Sequence, residues 1–411
     1  MTTMGSWFIQ AFMLRCNVAW KSVQYSTQAY QQFPVSLTSM EVAREGIMAN
    51  KLVKKLGSKL KNGELQLVKL ADDGINSDRS LPMTEFPKKR IFIEVDNDND
   101  IGIWRKSIVK WFRLGVHMMK YYKYGLQNTY RVAKDTKCLI ADKDLDSKSP
   151  LATQMVKLIE FNEIQLRLNK ACNGLPLTRK EFVEYYRRDQ VWKIPMFFLI
   201  ALALEEFTAV LCYFFPKVAP HNCLTPGGYL KISRSHAKIT DFTDPAKYKS
   251  PYNLAKKPLF QILRTSPVIR TSSWRLRVYE LIDNKRQPCE TLAQIHQYLF
   301  VDDWLLLKSI LNGKDIRLSY RELVNCIWER QLYSKDEDLN KMVNDDMGRR
   351  ILIWRLILYW SFRFDKTVTV GGDQLFSEKW GVNNVSILNY TGLNECQLLR
   401  VEDLSALEEN V

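Results

Sequence analysis

Two adjacent carboxylic acids, Glu205 and Glu206, stand inside a stretch that otherwise offers an ion nothing: IPMFFLIALALEEFTAVLCYFFP, from Ile194 to Pro216. These 23 residues contain no Lys, Arg, Asp, Asn or Gln. A carboxylate in so apolar a setting costs several kcal/mol, about 2.5–3.5 per residue on insertion scales. The same burial raises its pKa towards the working range. Such a group can alternately hold a proton or help to pass a cation; a protonated Glu can equally just hydrogen-bond a neighbouring helix. Glu205, Thr208 and Cys212 share one helix face at i, i+3 and i+7. One span cannot shield that face alone, so a homo-oligomer, or packing against other helices of the chain, is expected.

A second candidate constellation is cationic. Between Ile101 and Lys134 there are eight Lys and Arg and no acid. Lys106, Lys110, Arg113, His117 and Lys120 follow a 4-3-4-3 spacing that places them on one helix face. With Trp104, Trp111, Phe112 and Tyr122 interleaved, the segment reads either as an amphipathic helix with a solvated face or as an interfacial helix touching anionic lipid headgroups. Further along, Arg270, Arg275, Arg277, Lys285 and Arg286 are candidate RNA contacts, or again a solvated face. The whole chain of 411 residues carries a formal charge of +15, which favours a polyanionic partner.

Several chemistries are excluded. The eight cysteines form no CxxC pair and the four histidines lie far apart, so neither a disulfide scaffold nor a zinc site is expected. Asp96-Asn97-Asp98-Asn99-Asp100 invites a calcium reading, but an EF-hand loop needs Gly at its sixth position and a carboxylate at its twelfth. Those positions hold Ile101 and Ser107, and a helix N-terminus is the better reading. No phosphate-binding glycine loop, nucleophile elbow or HExxH motif occurs. No enzyme activity, cofactor or metal is expected.

The elements that must position these groups follow from composition. Residues 1–40 hold no Asp or Glu, and their hydroxyl-rich, apolar character predicts a mitochondrial presequence. Residues 41–100 read as a disordered linker and 101–190 as a basic amphipathic helical region. At about 1.5 Å per residue, the apolar run spans roughly the 30 Å hydrocarbon core of a bilayer, which predicts a transmembrane helix over 191–217. Residues 218–268 hold a run of prolines and are expected to be a linker. Helical periodicity returns over 269–364, with Leu318-Ser319 leading into a capped helix, and 365–411 form an acidic tail.

LTRKEFVEYYRRDQVWKIPMFF (177–198), EEFTAVLCYFFPKVAP (205–220) and DDWLLLKSI with LSYRELVNCIWERQL (302–332) resemble the LETM family of mitochondrial inner-membrane proteins, named for a leucine zipper and an EF-hand. The family's Leu-Thr-Arg-Arg opening is matched by Leu177-Thr178-Arg179-Lys180. Its Val-Pro-Phe entry is matched by Ile194-Pro195-Met196, its mid-span Glu-Phe by Glu206-Phe207 and its closing Phe-Pro by Phe215-Pro216. Asp302, Asp303, Leu305, Leu306, Leu318, Ser319, Glu322, Leu323 and Arg330 correspond to its downstream pattern. The span's extra prolines, the coiled coil and the EF-hand of longer members are missing.

The resemblance implies an all-α, single-pass membrane protein whose 269–364 region is a helical ribosome-binding domain of 14-3-3-like shape. It implies a part in potassium–proton exchange and mitochondrial cation and volume homeostasis, with Glu205 and Glu206 on the ion or proton pathway. The alternative is a mitoribosome-binding membrane receptor that aids translation or insertion of inner-membrane proteins, with Lys106, Lys110, Arg113, Lys120, Arg275 and Arg277 contacting ribosome or lipid. The expected partners are the inner membrane with its anionic lipid, the mitoribosome, and further copies of the chain. The family also implies a C-terminal domain facing the matrix.

Overall fold

In the computed structural model, the described residues are 54–58, 67–68, 74–143, 149–169, 174–204, 218–237, 255–268, 273–282, 285–311 and 318–364. They are helical apart from turns and one parallel strand pair, β1 (Leu67–Val68) with β2 (Leu318–Ser319), in the register Leu67 to Leu318. The all-α expectation therefore holds.

Helix α1 (Lys88–Asp96) packs on α2 (Ile103–Asp142), a 40-residue rod about 60 Å long at ~1.5 Å per residue. The C-terminal half of α2 buries Gly125, Thr129, Val132 and Thr136, a 4-3-4 spacing that makes one stripe against the body. Helix α3 (Leu151–Arg167) follows, then α4 (Arg179–Arg187). A capping box starts α4: Thr178 accepts from the Glu181 amide while the Glu181 carboxylate returns to the Thr178 amide. A 3-10 turn (Arg188–Trp192) runs directly into α5 (Lys193–Leu204).

Residues 218–268 depart from the linker expectation. They contain α6 (Pro226–His236) and α7 (Lys256–Thr265), which bury Tyr229, Leu259, Phe260 and Leu263. Their prolines do not break them because Pro226 and Pro258 occupy first turns, where the missing N–H has no helical partner to lose. Residues 74–100 are likewise structured rather than linker, with Asn76 and Ser77 about 1% exposed. The acids expected at a helix N-terminus instead lie at the α1–α2 corner, where Asp96 ends α1 and Gly102 caps α2.

The remainder is α8 (Ser273–Leu281), α9 (Arg286–Leu311), α10 (Tyr320–Glu329), α11 (Leu339–Asn344) and α12 (Asp346–Phe364). Ser319 caps α10 by accepting from the Glu322 amide. Two apolar clusters organise these helices. One is built on α10, α11 and α12 around Trp354, Tyr359 and Tyr333; the other joins α3, α4 and α7 to α9 around Phe182, Met155 and Phe260. Helix α9 serves both: Leu292 to Val301 belong to the second cluster and Leu306 and Leu307 to the first. Asp302 and Asp303 lie between them.

The single-pass expectation is corrected in one respect. Helix α5 is 12 residues long as described, and no helix among the described residues is long and apolar enough to cross a membrane. The rest of the apolar run, 205–217, lies outside the described residues, as do 1–40 and 365–411.

Candidate membrane-anchoring site

Helix α5 starts from the Arg188–Trp192 turn with Pro195 in its first turn, a position that tolerates proline. It puts one described aromatic side chain on the body. Phe197 is buried against Ala219 and Cys223, with Tyr122 and Leu126 of α2 beside it; the Phe197 and Tyr122 ring centroids are 5.7 Å apart. Phe198, Leu199 and Leu202 point away and are 53%, 68% and 75% exposed. Each apolar side chain of that size is worth about 1.5–3 kcal/mol when removed from water. Among the described residues nothing packs on these three side chains, which stand on the leading part of the apolar run.

Cys223, against which Phe197 packs, belongs to the turn 221–223, and that turn is fixed to α2. Asn222 donates to the Gly125 carbonyl at 2.8 Å and accepts from the Thr129 hydroxyl at 2.8 Å. The Tyr121 hydroxyl reaches the Asn222 and Leu224 carbonyls at 2.9 and 2.8 Å. Gly125 is required here, since a Cβ would meet Cys223 Sγ at 2.5 Å. The His221 ring stacks on Trp328 at 4.9 Å, and burial, aided by Lys193 and Arg187, pushes its pKa down to about 3, so it stays neutral.

Beneath this platform the charged residues form a closed network. Arg179 reaches Asp302 at 2.8 Å, Glu322 at 3.1 Å and the Ile75 carbonyl at 2.7 Å. Arg187 also pairs with Glu322, at 2.9 Å. Arg330 binds Asp302 and Asp303, both at 2.6 Å, and Asp303 accepts from Tyr359 and Trp360 at 2.9 Å each. Arg79 clamps Glu184 through Nε and Nη2 and reaches out to Asp135 of α2. Four guanidinium groups thus meet four buried carboxylates, Glu184, Asp302, Asp303 and Glu322, with the exposed Asp135 at the edge.

Burial alone would raise the Glu322 pKa, but Arg187 and Arg179 outweigh it and hold that carboxyl at about 2. Asp302 is depressed for the same reason, by Arg179 and Arg330. Glu329 is a fifth buried carboxyl: desolvation raises it, and the Tyr298 hydroxyl lies 3.1 Å away. With Asp302, Glu322 and Arg330 at 0% exposure, the network frames the fold rather than receives a ligand.

Of the expected site residues, Lys106, Lys110, Arg113 and Lys120 lie on α2 and Arg275 and Arg277 on α8. Glu205 and Glu206 lie outside the described residues. Lys110 pairs with Asp96 at 2.7 Å, Arg113 with Asp98 at 2.9 Å, and Lys106 donates to the Asp96 carbonyl at 2.6 Å. Lys110 and Arg113 of the acid-free segment therefore receive counter-charges from the end of α1 and the turn after it, and with Lys106 on a backbone carbonyl these three cations are not a free basic face. Lys120 is exposed on α2. Arg275 and Arg277 are exposed on α8, remote in sequence from that face, with Arg275 over the Trp274 ring at 5.6 Å. Sequence reasoning missed Arg79, Glu184 and Arg187 as network members. The capping-box spacing Thr178-x-x-Glu181 was the available signal that 177–187 is a precisely started helix carrying two of them.

Residues 75–311 match the pentamidine resistance factor domain. The mitochondrial pentamidine resistance factor of Saccharomyces cerevisiae is 40% identical over 401 aligned positions, which cover 87% of this chain and 94% of the relative. No solved structure matches. These matches overturn the LETM resemblance. Thr178, Arg179, Asp302, Asp303, Ser319, Glu322 and Arg330, which carried that resemblance, are here caps and members of the buried network. Demands of helix starts and buried charge pairing are general, so they do not distinguish one helical family from another. A relative this similar over nearly its whole length makes this a mitochondrial protein.

Proposed function

The chain belongs to the pentamidine resistance factor family, and from that premise we propose that it is a non-catalytic protein anchored in the mitochondrial inner membrane by α5 and the apolar residues that continue it to Pro216. The observation that carries this reading is the outward face of α5, with Phe198, Leu199 and Leu202 uncovered while Phe197 alone of that group is buried. The non-catalytic part is supported by the pairing of the densest ionisable cluster with itself. The relative is named for resistance to pentamidine, an aromatic dication. A membrane potential drives such a dication inwards by about 4.6 kcal/mol per 100 mV, so a protein acting at that membrane is well placed to alter drug load.

The test is alkaline carbonate extraction of mitochondria, followed by growth on pentamidine. The wild-type chain should stay in the membrane pellet. Leu199→Lys/Leu202→Lys, which changes exposed positions and adds about 5–7 kcal/mol to insertion, should move to the supernatant and change pentamidine tolerance as a deletion does. Extraction of the wild type by carbonate would refute the anchor.

Two finer readings have narrower support. For potassium–proton exchange the support is Glu205 and Glu206 within the apolar run, and Glu205→Gln/Glu206→Gln is expected to abolish restoration of potassium-acetate swelling. For ribosome contact it is the exposure of Arg275 and Arg277, and salt-sensitive co-sedimentation with mitoribosomes, weakened by charge reversal there, is expected.

A further inference from the structure

The N-terminal half of α2 carries an apolar stripe that is largely exposed, touched among the described residues at Trp111 by Phe92 and Lys88 of α1. At 3.6 residues per turn, Trp104, Ile108, Trp111, Phe112, Gly115 and Met119 fall within a sector roughly 100° wide. Trp104, Ile108, Trp111, Phe112 and Met119 are 72%, 67%, 61%, 71% and 74% exposed. A Cβ at Gly115 would meet nothing within 4 Å, so this face is open there.

Continued one turn further, the same face reaches Tyr122, whose ring packs on Phe197 of α5. The stripe therefore runs into the proposed anchor. Its flank is cationic: Arg105, Lys120 and Lys123 are exposed and make no ion pair among the described residues, and Arg105 lies over the Trp104 ring at 4.6 Å. On the α1 side, Lys88 sits over the Trp111 ring at 5.5 Å.

We propose that the stripe from Trp104 to Met119 lies in the interface of an anionic phospholipid membrane, as a second contact beside α5. Tryptophan and methionine side chains enter the headgroup boundary while Arg105, Lys120 and Lys123 meet phosphates, the arrangement that aromatic and cationic residues adopt on interfacial helices. Over 15 residues the contact is about 22 Å long. The cations expected from sequence, Lys106, Lys110 and Arg113, are turned to the Asp96 carbonyl, the Asp96 carboxylate and the Asp98 carboxylate and do not make this contact. The proposal rests on the anchored reading for its orientation.

The test uses the full chain in isolated mitochondria with a photoreactive diazirine amino acid in place of Phe112 or, as a control on the packed half of α2, in place of exposed Lys137. Phospholipid adducts at position 112 are expected to exceed those at 137 severalfold, with anionic lipids over-represented against their share of the membrane. Adducts mainly to another protein or to RNA would overturn the proposal, as would no adduct or a yield equal to that at 137. Lipid adducts that merely follow bulk composition would overturn the anionic part. Carbonate extraction of the same samples separates the two readings: a pelleted chain without lipid adducts fails this proposal alone, whereas an extracted chain fails the anchor.

Discussion

Arg179 and Asp302 are 123 residues apart in the sequence, yet their side chains meet at 2.8 Å with 2% and 0% exposure. This pair ties α4, the helix that leads into the Arg188–Trp192 turn, to the long α9 shared by both apolar clusters. Removing one partner leaves the buried network one charge out of balance in a dry interior, although Asp302 keeps Arg330 and Arg179 keeps Glu322. Arg179→Ala or Asp302→Ala is expected to destabilise the protein by about 3–5 kcal/mol, read from denaturant unfolding of the purified chain. Arg179→Lys should recover little, because an ammonium cannot reproduce the fork that serves Asp302, Glu322 and the Ile75 carbonyl together.

Lys110–Asp96 and Arg113–Asp98 are ion pairs of similar length but partly exposed, with 52% of the Asp96 side chain and 40% of the Arg113 side chain accessible. Neutralising either pair should cost about 0.2–1 kcal/mol and less in high salt. A melting series in rising salt for Asp98→Asn beside Asp302→Asn checks the contrast. Only the surface pair should lose its effect.

Acid should unfold the protein through Glu322. Its ordinary pKa of 4.5 is held at about 2 in the fold, so the unfolded state binds its proton first. The stability from this group is present above the unfolded value and is lost as pH falls from about 4.5 towards 2. Glu322→Gln is expected to flatten the pH profile over that window while lowering stability at neutral pH.

Glu329 has the opposite sign. Burial raises its pKa, so its contribution is full below the unfolded value and is lost as pH rises through the folded one. Glu329→Gln keeps an acceptor for the Tyr298 hydroxyl without a charge to bury. It should raise the melting temperature at neutral pH and leave it nearly unchanged in acid; a lower melting temperature at neutral pH would show that the ionised form is needed.

Gly125→Ala should destabilise by about 1–3 kcal/mol, since the new methyl meets Cys223 Sγ at 2.5 Å. Cys223→Ala removes that sulfur and leaves contacts of 3.5 Å. The double variant is therefore expected to be more stable than the sum of the two losses predicts, a coupling that a double-mutant cycle measures.

The sequence by itself determined what is local or compositional. Apolar spacing and the Ser319 start gave helices; the acid-free opening gave mitochondria; the 23-residue apolar run gave the surface that α5 turns outward. Family identity was misread from residues such as Arg179, Asp302 and Glu322, because buried charge pairs and helix caps recur wherever helices pack. Which charges are free was decided only by tertiary structure. Asp96 at the end of α1 and Asp98 in the turn after it neutralise Lys110 and Arg113, while Arg105, Lys120 and Lys123 remain in solvent. Periodicity along one helix reports its faces, but what each face meets depends on chain brought from elsewhere. The same holds for Pro226 and Pro258, which in sequence read as breaks and in the fold sit in the first turns of α6 and α7.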